Sequence, residues 1–280
     1  MDIEALIRSI SGTATYRRLS GTEGSTTDNS VYRLLEETGV STILKIYPMV
    51  SRERRERHAL EALAGTSGVP AILHRGNVDG TSWLLMTDAG TWSLASLPYN
   101  AEILKRAGQV LRGVHDTEAK ITNLEEGIGS GVENHYLSTI ERLGRFRRRL
   151  GLDQSVLDAA AEAPPPQPSP ARPAHTRPTP ERFLINEDGK VTLIAWEWAT
   201  LAPPEWDLSL ASWRLQSKLG DEAAEDFRSG YGYSGSTDRL QPWIAYHAAM
   251  LMLDAAENRD GRLHDLAPLG AALADAVGAA

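Results

Sequence analysis

The sequence predicts an α+β, bilobal chain: a five-stranded antiparallel sheet with one inserted helix over residues 1–90, then a mostly helical part over 91–280 that carries a central β-hairpin. Three observations predict it. Five short apolar runs fall before residue 90, interrupted by one helical stretch, SRERRERHALEAL at 51–63. Beyond residue 91 the apolar residues recur mostly at helical spacing. Between those helices, FLI (183–185) and VTLI (191–194) flank NEDG. An Asp-Gly pair between strand-like runs is a strong hairpin signal, because Gly supplies the positive φ of the turn.

Taken in order, residues 2–10 read as a short amphipathic helix with Asp2 as its cap. Strand-like runs follow at 15–19, 30–35 and 42–47. GTEGSTTDN (21–29) joins the first two; read alone it is an ordinary hairpin loop, although bare backbone amides in such a loop are able to cradle phosphate oxygens. ILKIY (43–47) places Lys45 inside an apolar strand, where a lysine ordinarily faces solvent. In the helix at 51–63, Leu60 and Leu63 share a face, and its charges read as a solvated surface. Two more strands, 71–74 and 82–86, precede a break at 87–90. Helices are then expected at 101–115, 131–150 and 153–162, the second ending in RFRRR (145–149), where basic residues suit the helix dipole better than they argue for RNA. PPPQPSP (164–170) cannot be helical and reads as an extended spacer. After the hairpin, helices are expected at 205–219, 221–231, 238–258 and 263–277.

At 280 residues there is ample chain for a core, and 41% hydrophobic with 24% charged residues is an ordinary globular balance. The chain has no cysteine, which excludes disulfides, thiolate metal sites and Cys nucleophiles. A formal charge of −8 argues against a general nucleic-acid binder. No apolar run approaches a membrane span and the first ten residues lack the pattern of a signal peptide, so a cytoplasmic location and no membrane partner are expected.

The layout and several motifs together resemble the aminoglycoside phosphotransferase and choline kinase group, which has a protein-kinase-like fold. Gly24-Ser25 with Asn29 and VYR (31–33) resembles the family's nucleotide loop and second strand, and Lys45 in TILKIYP matches its phosphate-binding lysine. Glu56 falls where the lysine's helix partner belongs, an ion pair that in kinases aims the ammonium at the phosphates. Met86 sits at the adenine-contacting hinge, LRGVH (111–115) resembles the family's helix ending in His, and PEWDL (204–208) is similar to its D-P-x-W-D-L segment, with Asp207 as the structural aspartate.

The family's catalytic loop reads H-G-D-x-x-x-x-N, followed by a hairpin and I-D-W-E. Here the same register gives His175, Thr176, Arg177, then Arg182, then Ile194, Ala195, Trp196 and Glu197. The resemblance therefore puts Arg177 in place of the catalytic Asp, Arg182 in place of the metal-binding Asn, and Ala195 in place of the metal-binding Asp. A guanidinium has no acceptor and cannot take a proton, and loss of a general base costs about 10²–10⁴ in rate. Mg²⁺ wants oxygen ligands, and an arginine ~4 Å away would repel it by about 8 kcal/mol at an effective dielectric of ~20. Glu181 and Asp188 lie at loop and turn positions where acids are ordinarily solvated, and Glu197 is expected to play a local structural role.

These changes imply a degenerate member, a pseudokinase without metal-dependent phosphoryl transfer and with no cofactor expected. Two readings of the new charges stay open. Lys45, Arg177 and Arg182 together form an anion-binding cleft, for a phosphorylated group or for nucleotide without metal, or both arginines are surface residues of a decayed loop. Three functions compete. The first is a substrate-binding or partner subunit in bacterial peptide or natural-product tailoring, such as that of ribosomal peptides, beside an active kinase or lyase and with a peptide substrate. The second is a repurposed enzyme, for example a cyclase or lyase, with His175, Glu197, His58 and Tyr231 as acid–base candidates by type. The third is an active small-molecule kinase.

Overall fold

Alternating side chains give the strands of the first third two faces to bury, and a helix covers each face. The computed structural model describes residues 3–11, 15–20, 28–118, 131–257 and 266–278. Helix α1 (Ile3–Ser11) leads into β1 (Thr15–Ser20), β2 (Ser30–Leu35), β3 (Ser41–Tyr47), helix α2 (Val50–Ala62), β4 (Ile72–Val78) and β5 (Thr81–Thr87). The five strands form one antiparallel sheet in the order β1-β2-β3-β5-β4. The period of two along β3 sends Leu44 and Ile46 toward α1, where they pack with Leu6, Ile7, Tyr32, Leu34 and Leu85. Its intervening residues, Lys45 and Tyr47, face α2.

The second part begins with a two-residue strand, β6 (Trp92–Ser93), in a region expected to be helical. Then come α3 (Ala101–Asp116), α4 (Val132–Leu150), α5 (Gln154–Glu162), β7 (Arg172–Ala174), a 3₁₀ turn (Pro180–Arg182), β8 (Phe183–Ile185), β9 (Val191–Leu193) and β10 (Thr200–Ala202). Helices α6 (Pro204–Leu219), α7 (Asp221–Tyr231), α8 (Gln241–Glu257) and α9 (Leu266–Ala276) follow. The expected hairpin forms, pairing Phe183 with Leu193 and Ile185 with Val191, with Gly189 at φ 73° and the Asn186 side chain accepting from the amides of Asp188 and Lys190. It is not isolated, since β6 adds a third strand to it, and β7 pairs with β10. Helix α8 starts at Gln241, later than 238, because Ser236 caps a separate 3₁₀ turn at Thr237–Arg239. Residues 164–170 hold no helix or strand, as their prolines dictate.

One apolar cluster runs from the sheet into the helical part, joining Tyr47, Leu60, Leu84 and Met86 to Leu104, Leu111, Phe183, Leu193, Trp196 and Phe227. A second lies beneath it around Tyr136, Trp206, Trp213, Trp243 and Tyr246. Helices α3 and α7 touch backbone to backbone. A Cβ at Gly108 would stand 2.1 Å from the Phe227 carbonyl oxygen, and one at Gly230 2.1 Å from that of Lys105. Among the described residues no helix is long and apolar enough to cross a membrane.

Candidate functional site

The sheet, α2 and the hairpin enclose a cavity of about 610 Å³. Ile43, Met86, Leu184 and Ile194 supply apolar wall, and Lys45, Glu56, Glu197, Arg52 and Asn29 supply polar groups. Such a volume, mostly apolar with a few converging charges, suits a small ligand.

At its centre the Lys45 ammonium lies 2.6 Å from Glu56 on α2 and 2.9 Å from Glu197 beyond the hairpin. Glu56 also accepts from the Tyr47 hydroxyl at 2.8 Å and, through its other oxygen, from the Trp196 amide at 3.2 Å. One carboxylate thus fastens α2 both to the sheet and to the strand end after the hairpin. Burial alone would pull the Lys45 pKa down, but the charges and hydrogen bonds of Glu56 and Glu197 outweigh it and hold the amine above its ordinary value. Glu197 is penalised by burial, yet Lys45 prevails and brings its carboxyl down to about 2. Burial pushes Glu56 upward, offset in part by Lys45. Glu56 sits above Glu197 although it has the shorter contact with Lys45, because it is the more deeply buried of the two carboxylates.

The loop that follows β7 is hung on Asp207. Its two carboxylate oxygens accept the backbone amides of His175 and Thr176, each at 2.7 Å, and His115 at the end of α3 lies 3.2 Å away. Thr176 (φ 67°) and Ala195 (φ 70°) adopt the left-handed region without being glycine. The Thr176 hydroxyl donates to the Trp198 carbonyl at 2.8 Å, linking the loop to the segment after the hairpin. Arg177 then lies 4.3 Å from the centre of the Trp198 ring.

The structure brings Lys45, Glu56, Met86, Ala195 and Glu197 to one cavity and leaves other candidates off its wall. Lys45 and the two arginines do not line a common cleft: Arg177 turns onto Trp198, and Arg182 is half-buried with Nη1 lacking a partner among the described residues. His175 is wholly buried, with Nε2 donating to the Ile194 carbonyl at 2.8 Å and Nδ1 accepting the Arg177 amide at 3.3 Å. Burial, with Arg182 nearby, drops its pKa to about 4. Tyr231 bonds His115 at 2.8 Å beneath Asp207 and does not line the cavity. Nor does His58, half-buried on α2. Gly24 and Ser25 lie outside the described residues.

Glu197 corrects the sequence reading. Its role is not local, because it crosses 152 positions to reach Lys45. Two further groups went unread: Arg52 and Arg55, whose helix looked like a solvated face, lie 5.9 and 5.3 Å from the same Trp198 ring centre. Their spacing of three on a helix was the available signal. The residue just after the hairpin is Ala195, which has no oxygen ligand to offer, and the two carboxylates nearest it, Glu56 and Glu197, hold Lys45.

Comparison with solved structures places the fold. The chain aligns over 100% of its length, and 99% of the other's, with a thermostable variant of aminoglycoside phosphotransferase APH(4)-Ia in ternary complex with ADP and hygromycin B, at 15% identity and a TM-score of 0.70. The GDP complex of an aminoglycoside 2′-phosphotransferase-IIIa variant aligns over 99% and 96% of the two chains, at 14% identity and TM-score 0.70. Macrolide 2′-phosphotransferase MphH from Brachybacterium faecium aligns over 92% of each, at 15% identity and TM-score 0.64. A sequence comparison with curated proteins found no match. The profile described as APH, phosphotransferase enzyme family, matches residues 23–243. That match spans most of the chain, and the chain therefore belongs to the phosphotransferase enzyme family.

Proposed function

We propose that this family member binds without transferring: a pseudokinase serving as a substrate-binding or partner subunit beside a separate, active kinase or lyase. The observation that carries the reading is the double clamp on Lys45. The Lys45–Glu56 pair is the kinase arrangement, but Glu197 occupies the ammonium from the other side, where a phosphate oxygen would otherwise be served, and Ala195 offers no oxygen to a metal. Loop chemistry supports the same conclusion. Arg177 has no acceptor for a proton, and its ring partner Trp198 is not one either.

The repurposed-enzyme reading gains nothing from the acid–base candidates. His175 and Tyr231 spend their polar atoms on neighbours, and Glu197 is committed to Lys45. A cationic aminoglycoside would meet three guanidinium groups around Trp198, so the substrates of the aligned enzymes are poor guides here. Peptide or natural-product tailoring is the setting in which a non-transferring relative of this fold has an obvious use, an analogy of fold.

The test is turnover. The full chain, incubated with Mg-ATP and in turn an aminoglycoside, a choline-like amine and a serine peptide, is expected to consume no ATP above the buffer rate. Steady magnesium-dependent consumption with any of them overturns the reading.

A further inference from the structure

We infer that Arg33 and Asp88 form a latch that locks the link between the sheet and the helical part. The cavity is thereby held at one width, and a ligand enters it without the two parts swinging open. The latch is independent of whether the chain turns over ATP.

The chain passes from the sheet to the helical part through residues 88–91, between the end of β5 and the start of β6. Alternation along β2 sends Tyr32 and Leu34 toward α1 and puts Arg33 on the opposite face, beside Ile43 and on the cavity wall. There its guanidinium is spent on the link. Nε lies 2.7 Å from one Asp88 carboxylate oxygen, and Nη2 donates to the other at 3.1 Å and to the Gly90 carbonyl at 2.6 Å. Nη1 donates to the Thr91 hydroxyl at 3.0 Å. One side chain of the sheet thus holds three of the four link residues. Asp88 is fastened in turn, accepting the Ser41 hydroxyl of β3 at 2.5 Å and the Gly90 amide at 2.9 Å.

The other side of the link rests on the hairpin. The Thr91 amide donates to the Ile185 carbonyl at 3.1 Å. Gly90 has a φ of 114°, and a Cβ there would stand 2.4 Å from that same carbonyl oxygen, so a side chain does not fit without a shift. Hinges absorb motion through changes of φ and ψ at a few linking residues. Here those residues are bonded to the sheet on one side and packed on the hairpin on the other, and a swing at the link breaks an Arg–carboxylate fork. The two side chains of that fork are 21% and 15% exposed, so salt screens it little. Met86, Ala89 and Gly90 line the cavity beside Arg33, and the latch therefore also fixes the wall a ligand meets.

The test exploits the absence of cysteine. Arg54→Cys on α2 and Arg148→Cys on α4, both exposed, carry nitroxide labels in the full chain, and double electron–electron resonance reads the distance between the two parts. The labelled parent is expected to give one narrow distribution. Arg33→Gln and Asp88→Asn are each expected to broaden it, and the double variant no further, because both changes remove the same pair. Arg75→Gln, which removes an exposed pair with Glu61 inside the sheet part, is expected to leave it narrow. Hydrogen exchange at the Gly90 and Thr91 amides is the second readout, expected to quicken roughly tenfold in Asp88→Asn, the worth of a hydrogen bond to a charged group. Ser41→Ala, a milder change that keeps both charges, is expected to quicken Gly90 in the same direction and carries the test if the charge variants do not fold. Circular dichroism melts establish which variants fold. A narrow distribution kept in both latch variants, equal broadening in Arg75→Gln, additive broadening in the double variant, or unchanged exchange at Gly90 and Thr91 overturns the latch.

Discussion

The Lys45 ammonium lies 2.9 Å from the Glu197 carboxylate, a partner supplied by the opposite side of the cavity. In a kinase-like cleft that ammonium serves phosphate oxygens; here two carboxylates already hold it. Glu197→Gln should release part of its charge. Titration with metal-free ADP is expected to show tighter binding in this variant than in the parent, and unchanged or weaker binding would show that the clamp does not limit nucleotide affinity.

Removing the cation has the opposite consequence. Lys45→Met leaves Glu56 and Glu197 facing each other without a counter-charge, and breaking a buried pair from one side costs about 3–5 kcal/mol. Denaturant unfolding of Lys45→Met should fall by an amount in that range, and adding Glu197→Gln should recover part of it.

The three altered loop positions are expected to act as a set. Arg177→Asp, Arg182→Asn and Ala195→Asp together would restore the side-chain types that the resemblance assigns to these positions, whereas any one alone leaves a guanidinium or a gap. Calorimetry should therefore detect magnesium-dependent ADP binding in the triple variant and in no single one. Magnesium dependence in Ala195→Asp alone would show that Arg177 and Arg182 do not obstruct the metal.

Acid should weaken the fold by a route that leaves Glu197 ionised. Burial brings the pKa of His175 and of His247 to about 4, whereas an unfolded histidine titrates near ~6.5. Between those values the unfolded chain binds the extra protons, so stability falls as the pH drops from about 6.5 toward 4. Each histidine accounts for up to roughly 3 kcal/mol. Thermal melts should lose stability across that window, and below about pH 4.5 the depressed carboxyl of Glu197 adds to the loss. His247→Gln, which deletes one of the two while keeping a donor for the Trp206 carbonyl, should flatten the slope.

Helix contact makes a sharper demand. Gly108→Ala would drive a methyl into the Phe227 carbonyl, and overpacking of this kind costs about 1–3 kcal/mol. Its melting temperature should fall, while Gly144→Ala, where the added carbon meets nothing within 4 Å, should not show that loss.

Much of the fold was legible because its elements are longer than one period of their own pattern. The strands at 30–35 and 41–47 and helix α3 announce themselves locally. Strands β6, β7 and β10 have two or three residues each and exist only because a distant segment pairs with them, so no local pattern could declare them. The site divides in the same way. The Lys45–Glu56 pair and Asp207 were visible through motif spacing. Glu197's reach was hidden by its separation in sequence, and Arg52 and Arg55 by a charge run that reads as solvent-facing until Trp198 is placed beside it.

Thr176 and Ala195 hold a backbone geometry that an L-residue other than glycine adopts at a cost of about 1–3 kcal/mol. At Thr176 that cost is met within the fold by Asp207 and the Trp198 carbonyl, before any guest is present. Entry of a ligand should consequently require little rearrangement of these two corners, and its on-rate should be governed by diffusion and charge rather than by a slow remodelling step.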